Sequence, residues 1–208
     1  MTQTGSRTRW IQVDPLAPDP QLMKEAAVLL RRGGLVAFPT ETVYGLGVNR
    51  EDPQALQELY QIKQRPFDKQ VTIHLADALA LGRYDVEVPV LAAKLMEAFW
   101  PGPLTLVLAC KTGSPLGFRL PDHRVARELI RLADAQIIAS SANLSGQAPP
   151  TTAAAVAEVF EGKIDMIIDA GPTSVGAAST VLSFVEGQPK ILRGGAMDDR
   201  IKAFLERC

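Results

Sequence analysis

Cysteine is scarce in this chain, with two residues in 208, Cys110 and Cys208. Neither belongs to a Cys-x-x-Cys pair, so neither a disulfide framework nor a zinc site is expected. No apolar run is long enough to cross a bilayer, and the opening MTQTGSRTRW lacks the apolar core of a signal peptide. A soluble, cytoplasmic protein is therefore expected. An excess of charge of either sign is also missing, since 22 Lys and Arg against 23 Asp and Glu leave a formal net charge of −1. That argues against a generally basic, nucleic-acid-coating protein, while leaving room for a local cationic patch. No basic, aromatic-laced stretch suited to stacking bases stands out. No Ser-His-Asp order, paired-carboxylate signature or His/Cys metal cluster stands out either. A P-loop is excluded because its Gly-Lys-Ser/Thr ending is absent.

What is present is ordinary globular composition, 47% hydrophobic and 22% charged, enough to bury a substantial core without covalent staples. No long Gly/Ser/Pro linker or charge run divides the chain, so one domain over residues 1–208 is expected. Strands are predicted at Trp10–Val13, Leu35–Phe38, Val71–Leu75, Pro103–Cys110, Gly117–Pro121 and Gln136–Ala139, with three late ones in IDMIID, STVLSF and PKILR. Asp19-Pro20 and Asp52-Pro53 each cap and open a helix. Gly33 closes the first, and Pro66 ends the second by pushing Arg65 away from helical dihedrals. Further helices are expected at about Val88–Phe99, Arg124–Leu132 and Asp198–Arg207, and from a cap at Thr151 or Thr152 to about Phe160. Strands and helices alternate in places and strands run together elsewhere. The fold class is thus α/β, a twisted mixed sheet flanked by helices.

Four polar clusters sit where elements end, where ligand sites of sheet proteins gather. The first is Thr40-Glu41-Thr42, which leaves a buried strand; the hydroxyls of Thr40 and Thr42 suit either a capped turn or a pocket. The second is IKQRPFDK, in which Lys63, Arg65 and Lys69 crowd a helix end. These cations either complement the helix dipole or grip a polyphosphate with an ammonium beside a guanidinium fork. The third is SSANLSG, either a Ser/Asn-rich turn or a set of donors for phosphate or ribose. The fourth is Arg119 in GFRLP. Phe118 and Leu120 point one way and Arg119 the other, to solvent, to an ion pair, or into a cavity where a carboxylate would be its partner. His74 shares such a polar face, while Ser179 and Arg193 carry little signal on pattern alone. The polar inventory favours binding anions and hydroxyls over proton shuttling, as a reaction driven by positioning and charge neutralisation requires.

Taken in order, FPTETVYGLG, KQRPFDK with a following His74, WPGPLTLVL, FRLPDH, SSANLSG, STVL and ILRGG resemble the YrdC-like family, from about residue 19 to 195. Its members include the L-threonylcarbamoyladenylate synthases. The resemblance implies a YrdC-like domain with a large concave basic cavity, in the short form without an extra C-terminal domain. It implies synthesis of threonylcarbamoyl-AMP and pyrophosphate from L-threonine, bicarbonate or CO2, and ATP with Mg2+. The product would pass to a tRNA-modifying transferase complex for the t6A modification at tRNA position 37, with at most a weak tRNA contact by this chain and none with membrane. By the same resemblance Lys63, Arg65, Ser141 and Asn143 are the catalytic group facing ATP, with Phe67, Pro115, Pro149 and Arg193 along the nucleotide. Thr40, His74, Arg119, Ala139 and Ser179 would hold threonine, with Arg119 on its carboxylate; no residue is expected to ligate metal. Gln70 stands where the family usually has proline, Ala139-Ser140 where it has Ser-Thr, and Ser183 where aspartate is common. Two other readings are an RNA-binding module using the same cavity and a related carbamoyl-adenylate activity, as in hydrogenase-maturation carbamoyltransferases. A third is a paralogue that has kept the fold and lost the reaction.

Overall fold

The computed structural model describes residues 8–207; most of the opening segment and Cys208, both considered above, lie outside them. Ten strands form one sheet. In chain order they are β1 (Arg9–Gln12), β2 (Val36–Phe38), β3 (Gly45–Asn49), β4 (Thr72–His74), β5 (Leu104–Leu108), β6 (Leu116–Arg119), β7 (Ile137–Ser141), β8 (Met166–Asp169), β9 (Thr180–Ser183) and β10 (Lys190–Arg193). The helices are α1 (Pro20–Arg31), α2 (Pro53–Ile62), α3 (Val90–Phe99), α4 (Arg124–Ala133), α5 (Ala153–Phe160) and α6 (Asp198–Leu205), with a 3-10 turn at Ala78–Arg83. The strand order is β1-β8-β2-β3-β7-β4-β6-β5-β9-β10. Parallel and antiparallel pairs are interspersed, which makes this the expected mixed sheet. Among the described residues, no helix is long and apolar enough to cross a membrane.

Local chemistry sets the helix ends. Asp19 accepts hydrogen bonds from the Gln21 and Leu22 amides, and Asp52 from those of Gln54 and Ala55, with Pro20 and Pro53 at the first helical positions. Helix α2 stops at Ile62, three residues before the limit that Pro66 imposes. Gln64 turns left-handed (φ 49°), the Gln64 amide donates to the Gln61 carbonyl, and the Arg65 amide donates to the Tyr60 carbonyl. This Schellman closure satisfies the last carbonyls and reverses the chain. Strand β3 has no counterpart among the predicted strands. It is central and fully buried, so it lacks alternation, and Gly45 and Gly47 depress its strand propensity.

The side-chain period of two divides the sheet into unlike faces. One face is apolar: Leu46, Val48, Leu106, Phe118, Ile138 and Leu182 pack with Leu59 of α2, Leu95 of α3, Val156 of α5 and Ile201 of α6. On the other face Phe38, Ile137, Ala139, Met166 and Ile168 pack with Met23, Ala26 and Leu30 of α1 and Val125 and Leu129 of α4. Full burial of one such leucine or isoleucine contributes about 1.5–3 kcal/mol. This second core covers only the half of the sheet around β1, β8, β2 and β7. Over β4, β6, β5 and β9 the same face carries small and polar residues.

Candidate functional site

Strand register builds the site. His74 pairs with Arg119, Arg119 with Thr105, Thr105 with Val181, and Val181 with Arg193. Directly paired residues share a face, so these five form a row across β4, β6, β5, β9 and β10. A second row runs Gly47, Ala139, Thr72, Gly117 and Val107. Apart from Gly47, the rows floor a cavity of about 270 Å³, walled by Thr40 and Val43 from the loop after β2, Arg65 and Gln70 from the loop after α2, and Ser179 before β9. Gly117 leaves the floor open. A Cβ there would make only ordinary contacts, 3.6 Å from Thr72 Oγ1 and 3.8 Å from Thr105 Cγ2. Gly195 has a different task, because a Cβ would lie 2.4 Å from the Ala178 carbonyl oxygen. Glycine there lets the chain after β10 press the Ala178–Ser179 segment into place.

The loop leaving β2 is an anchored hub. Thr40 Oγ1 lies 2.8 Å from Thr42 Oγ1 and donates to the Val43 carbonyl at 2.7 Å. Arg119 Nη2 donates to Glu41 Oε1 at 2.8 Å and to Thr42 Oγ1 at 2.7 Å. Glu41 and Arg119 are both buried, each 6% exposed, and Arg119 Nε and Glu41 Oε2 have no hydrogen-bond partner. Across the cavity Thr105 Oγ1 sits 2.8 Å from Ser179 Oγ, and Arg193 Nη2 donates to the Ser179 carbonyl at 2.7 Å. Arg65 closes its own loop by donating to the Lys69 and Gln70 carbonyls. Arg65, Arg119 and Arg193 all line the cavity, and neither Asp nor Glu does. A chain of near-zero net charge thus keeps a cationic pocket. Burial, then the charges of Arg119 and Arg65, push the Arg193 pKa down.

Histidine 74 is set up as an acceptor. Its Nδ1 lies 3.1 Å from the Thr72 carbonyl, which can only accept, so Nδ1 carries the hydrogen and Nε2 a lone pair. Burial first, then the charge of Arg119, lowers its pKa to about 3, with the Thr72 carbonyl opposing. Its ring shifts are therefore expected to stay constant in NMR spectra from pH 5 to 8; a midpoint near 6.5 would contradict the assignment.

Eight expected site residues line the one cavity: Thr40, Arg65, His74, Arg119, Ala139, Ser141, Ser179 and Arg193. Five are not in its lining. Lys63 is 2% exposed, and its Nζ donates to the main-chain carbonyls of Ser141 and Asn143, both at 2.5 Å. Its ammonium thus supports the Ser141–Asn143 turn from behind. Burial, then Arg65, lowers its pKa to about 7, and the two carbonyl acceptors favour the charged form. Asn143 Nδ2 donates to the Leu144 and Gln147 carbonyls, while its Oδ1 is buried without a partner. Phe67 is exposed and stacks on Tyr60 at 4.9 Å. Pro115 and Pro149 lie outside the lining. Sequence reasoning gave no site role to Glu41, Thr72, Thr105 or Gly117. Thr105 carried the same signal as Arg119, a polar residue between buried apolar neighbours.

The family model Sua5/YciO/YrdC, described as "Telomere recombination", matches residues 28–195. The threonylcarbamoyl-AMP synthase of Bacillus subtilis is 44% identical over 198 residues, 90% of this chain and 57% of that protein. That of Pyrococcus abyssi is 45% identical over 181 residues, 83% of this chain and 53% of the relative. The chain thus spans about half the length of these curated relatives. The crystal structure of P. abyssi Sua5 complexed with L-threonine superposes with a TM-score of 0.85 at 41% identity, over 90% of this chain and 58% of that one. E. coli YciO matches at a TM-score of 0.81 and 24% identity, over 90% of this chain and 96% of that one, a likeness of fold alone.

Proposed function

The chain belongs to the Sua5/YciO/YrdC family, and we propose that it makes threonylcarbamoyl-AMP and pyrophosphate from L-threonine, bicarbonate or CO2, and ATP. The observation that carries the reading is a single cavity with guanidinium groups from separate elements, Arg119 beside His74 on the floor, Arg193 on the β10 edge and Arg65 on the loop after α2. The Arg119 and Arg193 backbones stand three strands apart in one row, roughly 14 Å on a flat sheet, and the Arg193 guanidinium reaches back to Ser179. Guanidinium groups from separate elements suit an amino-acid carboxylate and a nucleotide tail held side by side.

In this reading Arg119 takes the threonine carboxylate, and His74 Nε2 accepts from its hydroxyl or amine. The free amine adds to CO2 and releases a proton to solvent, which gives a carbamate anion. A carbamate oxygen attacks the α-phosphorus, the bond to the bridging oxygen breaks, and pyrophosphate leaves. Arg65 and Arg193 neutralise charge on the phosphates, and Ser141 offers a hydroxyl beside them. Lys63 acts by holding the Ser141–Asn143 turn. Among the described residues, no group of three His, Cys, Asp or Glu converges to hold a metal. The donor set thus suits Mg2+ entering as Mg-ATP, carried by the nucleotide, rather than on protein ligands. A cytoplasmic location and delivery of the product to a tRNA-modifying transferase complex, with at most a weak tRNA contact of its own, complete the reading.

Pyrophosphate release measured with threonine, bicarbonate and ATP, omitting each in turn, tests it. Release should need all three, and release without threonine would point to plain ATP hydrolysis. A second expected outcome concerns the floor. Gly117→Leu should fold with an unchanged melting temperature while weakening threonine and ATP binding by tenfold or more in calorimetry. Unaltered binding would place both ligands elsewhere.

A further inference from the structure

Glu41 has no part in the scheme above, yet it is the one acidic residue that is buried among the described residues. Its place is fixed from several sides. Its carbonyl accepts from the Val175 amide at 2.8 Å and from Ser174 Oγ at 3.3 Å, which ties it to the segment leading to Ser179. Its Oε1 holds Arg119 Nη2 at 2.8 Å, while Arg119 Nε and Glu41 Oε2 stay buried and unpartnered. No carboxylate lines the cavity itself, and Arg65 and Arg193 have no such acidic partner among the ion pairs of the described residues. Arg119 is therefore charge-balanced by Glu41, whereas Arg65 and Arg193 keep their charge unbalanced.

We propose that Glu41 is a positioning and selectivity residue that fixes Arg119 and makes its end of the cavity accept a zwitterion, an α-amino acid, over a plain anion. The inference rests on the reading of that end as the amino-acid site. A carboxylate approaching Arg119 also meets the charge of Glu41 through a low-dielectric interior, where such repulsion is strong. A ligand that brings its own ammonium balances both charges. A ligand without one does not, and neither does a phosphate, so the nucleotide tail is directed to the unbalanced Arg65 and Arg193.

Calorimetric titration at pH 7 with L-threonine, and with its analogue carrying a hydroxyl in place of the α-amino group, tests this. Wild type should bind threonine at least tenfold more tightly than the analogue. In Glu41→Gln, which keeps shape and loses charge, the preference should fall to threefold or less, because threonine weakens and the analogue gains. Glu41→Asp should keep the preference while binding both more weakly. An unchanged preference in Glu41→Gln overturns the role of Glu41 and leaves the amino-acid site standing. The wild-type preference needs no variant to fold, and equal affinity for both ligands overturns the proposal by itself. Wild type that binds no threonine overturns the underlying reading as well.

Discussion

Replacing Arg119 with alanine is expected to weaken threonine binding by roughly 10- to 150-fold, the loss of a charge-assisted contact worth about 1.5–3 kcal/mol. The same change should lower stability, because it strips Glu41 of its partner in a site where both side chains are less than a tenth exposed. Breaking a buried pair on one side costs about 3–5 kcal/mol, whereas replacing both members by neutral residues is often tolerated. Arg119→Ala should therefore denature at a markedly lower urea concentration than wild type. Glu41→Gln combined with Arg119→Met should recover most of that loss without recovering threonine affinity. Calorimetry with threonine and urea melts of the three proteins separate the two effects. Unchanged threonine affinity in Arg119→Ala would remove the residue from the pocket. Equal destabilisation in the single and double variants would mean that the pair is not the cause.

Lys63→Ala should depress turnover with ATP by tenfold or more even though Lys63 is not in the cavity lining. Its ammonium satisfies two main-chain carbonyls on either side of Ala142, and without it the turn that presents Ser141 loses its support from α2. Charge-assisted hydrogen bonds contribute about 1.5–3 kcal/mol each, but the buried charge carries a desolvation cost in return. That cost has a pH signature. Burial lowers the Lys63 pKa to about 7 from the ordinary 10.5. Between those values the unfolded chain holds a proton that the folded one lacks, so stability rises with pH across this window. Wild type should gain stability from pH 7 to 10 in chemical denaturation, and Lys63→Met should show less of that gain. Normal turnover in Lys63→Ala would dismiss its part at the nucleotide end. Identical slopes would mean that its carbonyl acceptors hold it charged throughout.

Much of this was legible in the sequence wherever the signal was local. Arg119 betrayed its face because Phe118 and Leu120 flank it, and in the structure both neighbours lie in the apolar core while Arg119 lines the cavity. The Asp-Pro starts of α1 and α2 were equally plain, since the cap and the proline act within one turn. Lys63 and Glu41 were not legible in the same way. A cation at a helix end reads as a dipole partner or a phosphate ligand, and its carbonyl partners lie 78 and 80 residues onward. Glu41 likewise meets Arg119 across 78 residues. Only the pairing of β2, β3, β7, β4 and β6 in that order brings those segments together. The whole cavity has this origin, because no stretch of chain contains more than a few of its walls.

The most direct test is a crystal structure of the chain with L-threonine and a non-hydrolysable ATP analogue. Threonine is expected with its carboxylate on Arg119 and its polar groups toward Thr40 and His74, and the nucleotide phosphates between Arg65 and Arg193 in the same cavity. Density for either ligand away from the floor of Thr72, Thr105 and Gly117, with Arg119 still bonded only to Glu41 and Thr42, would contradict a shared site.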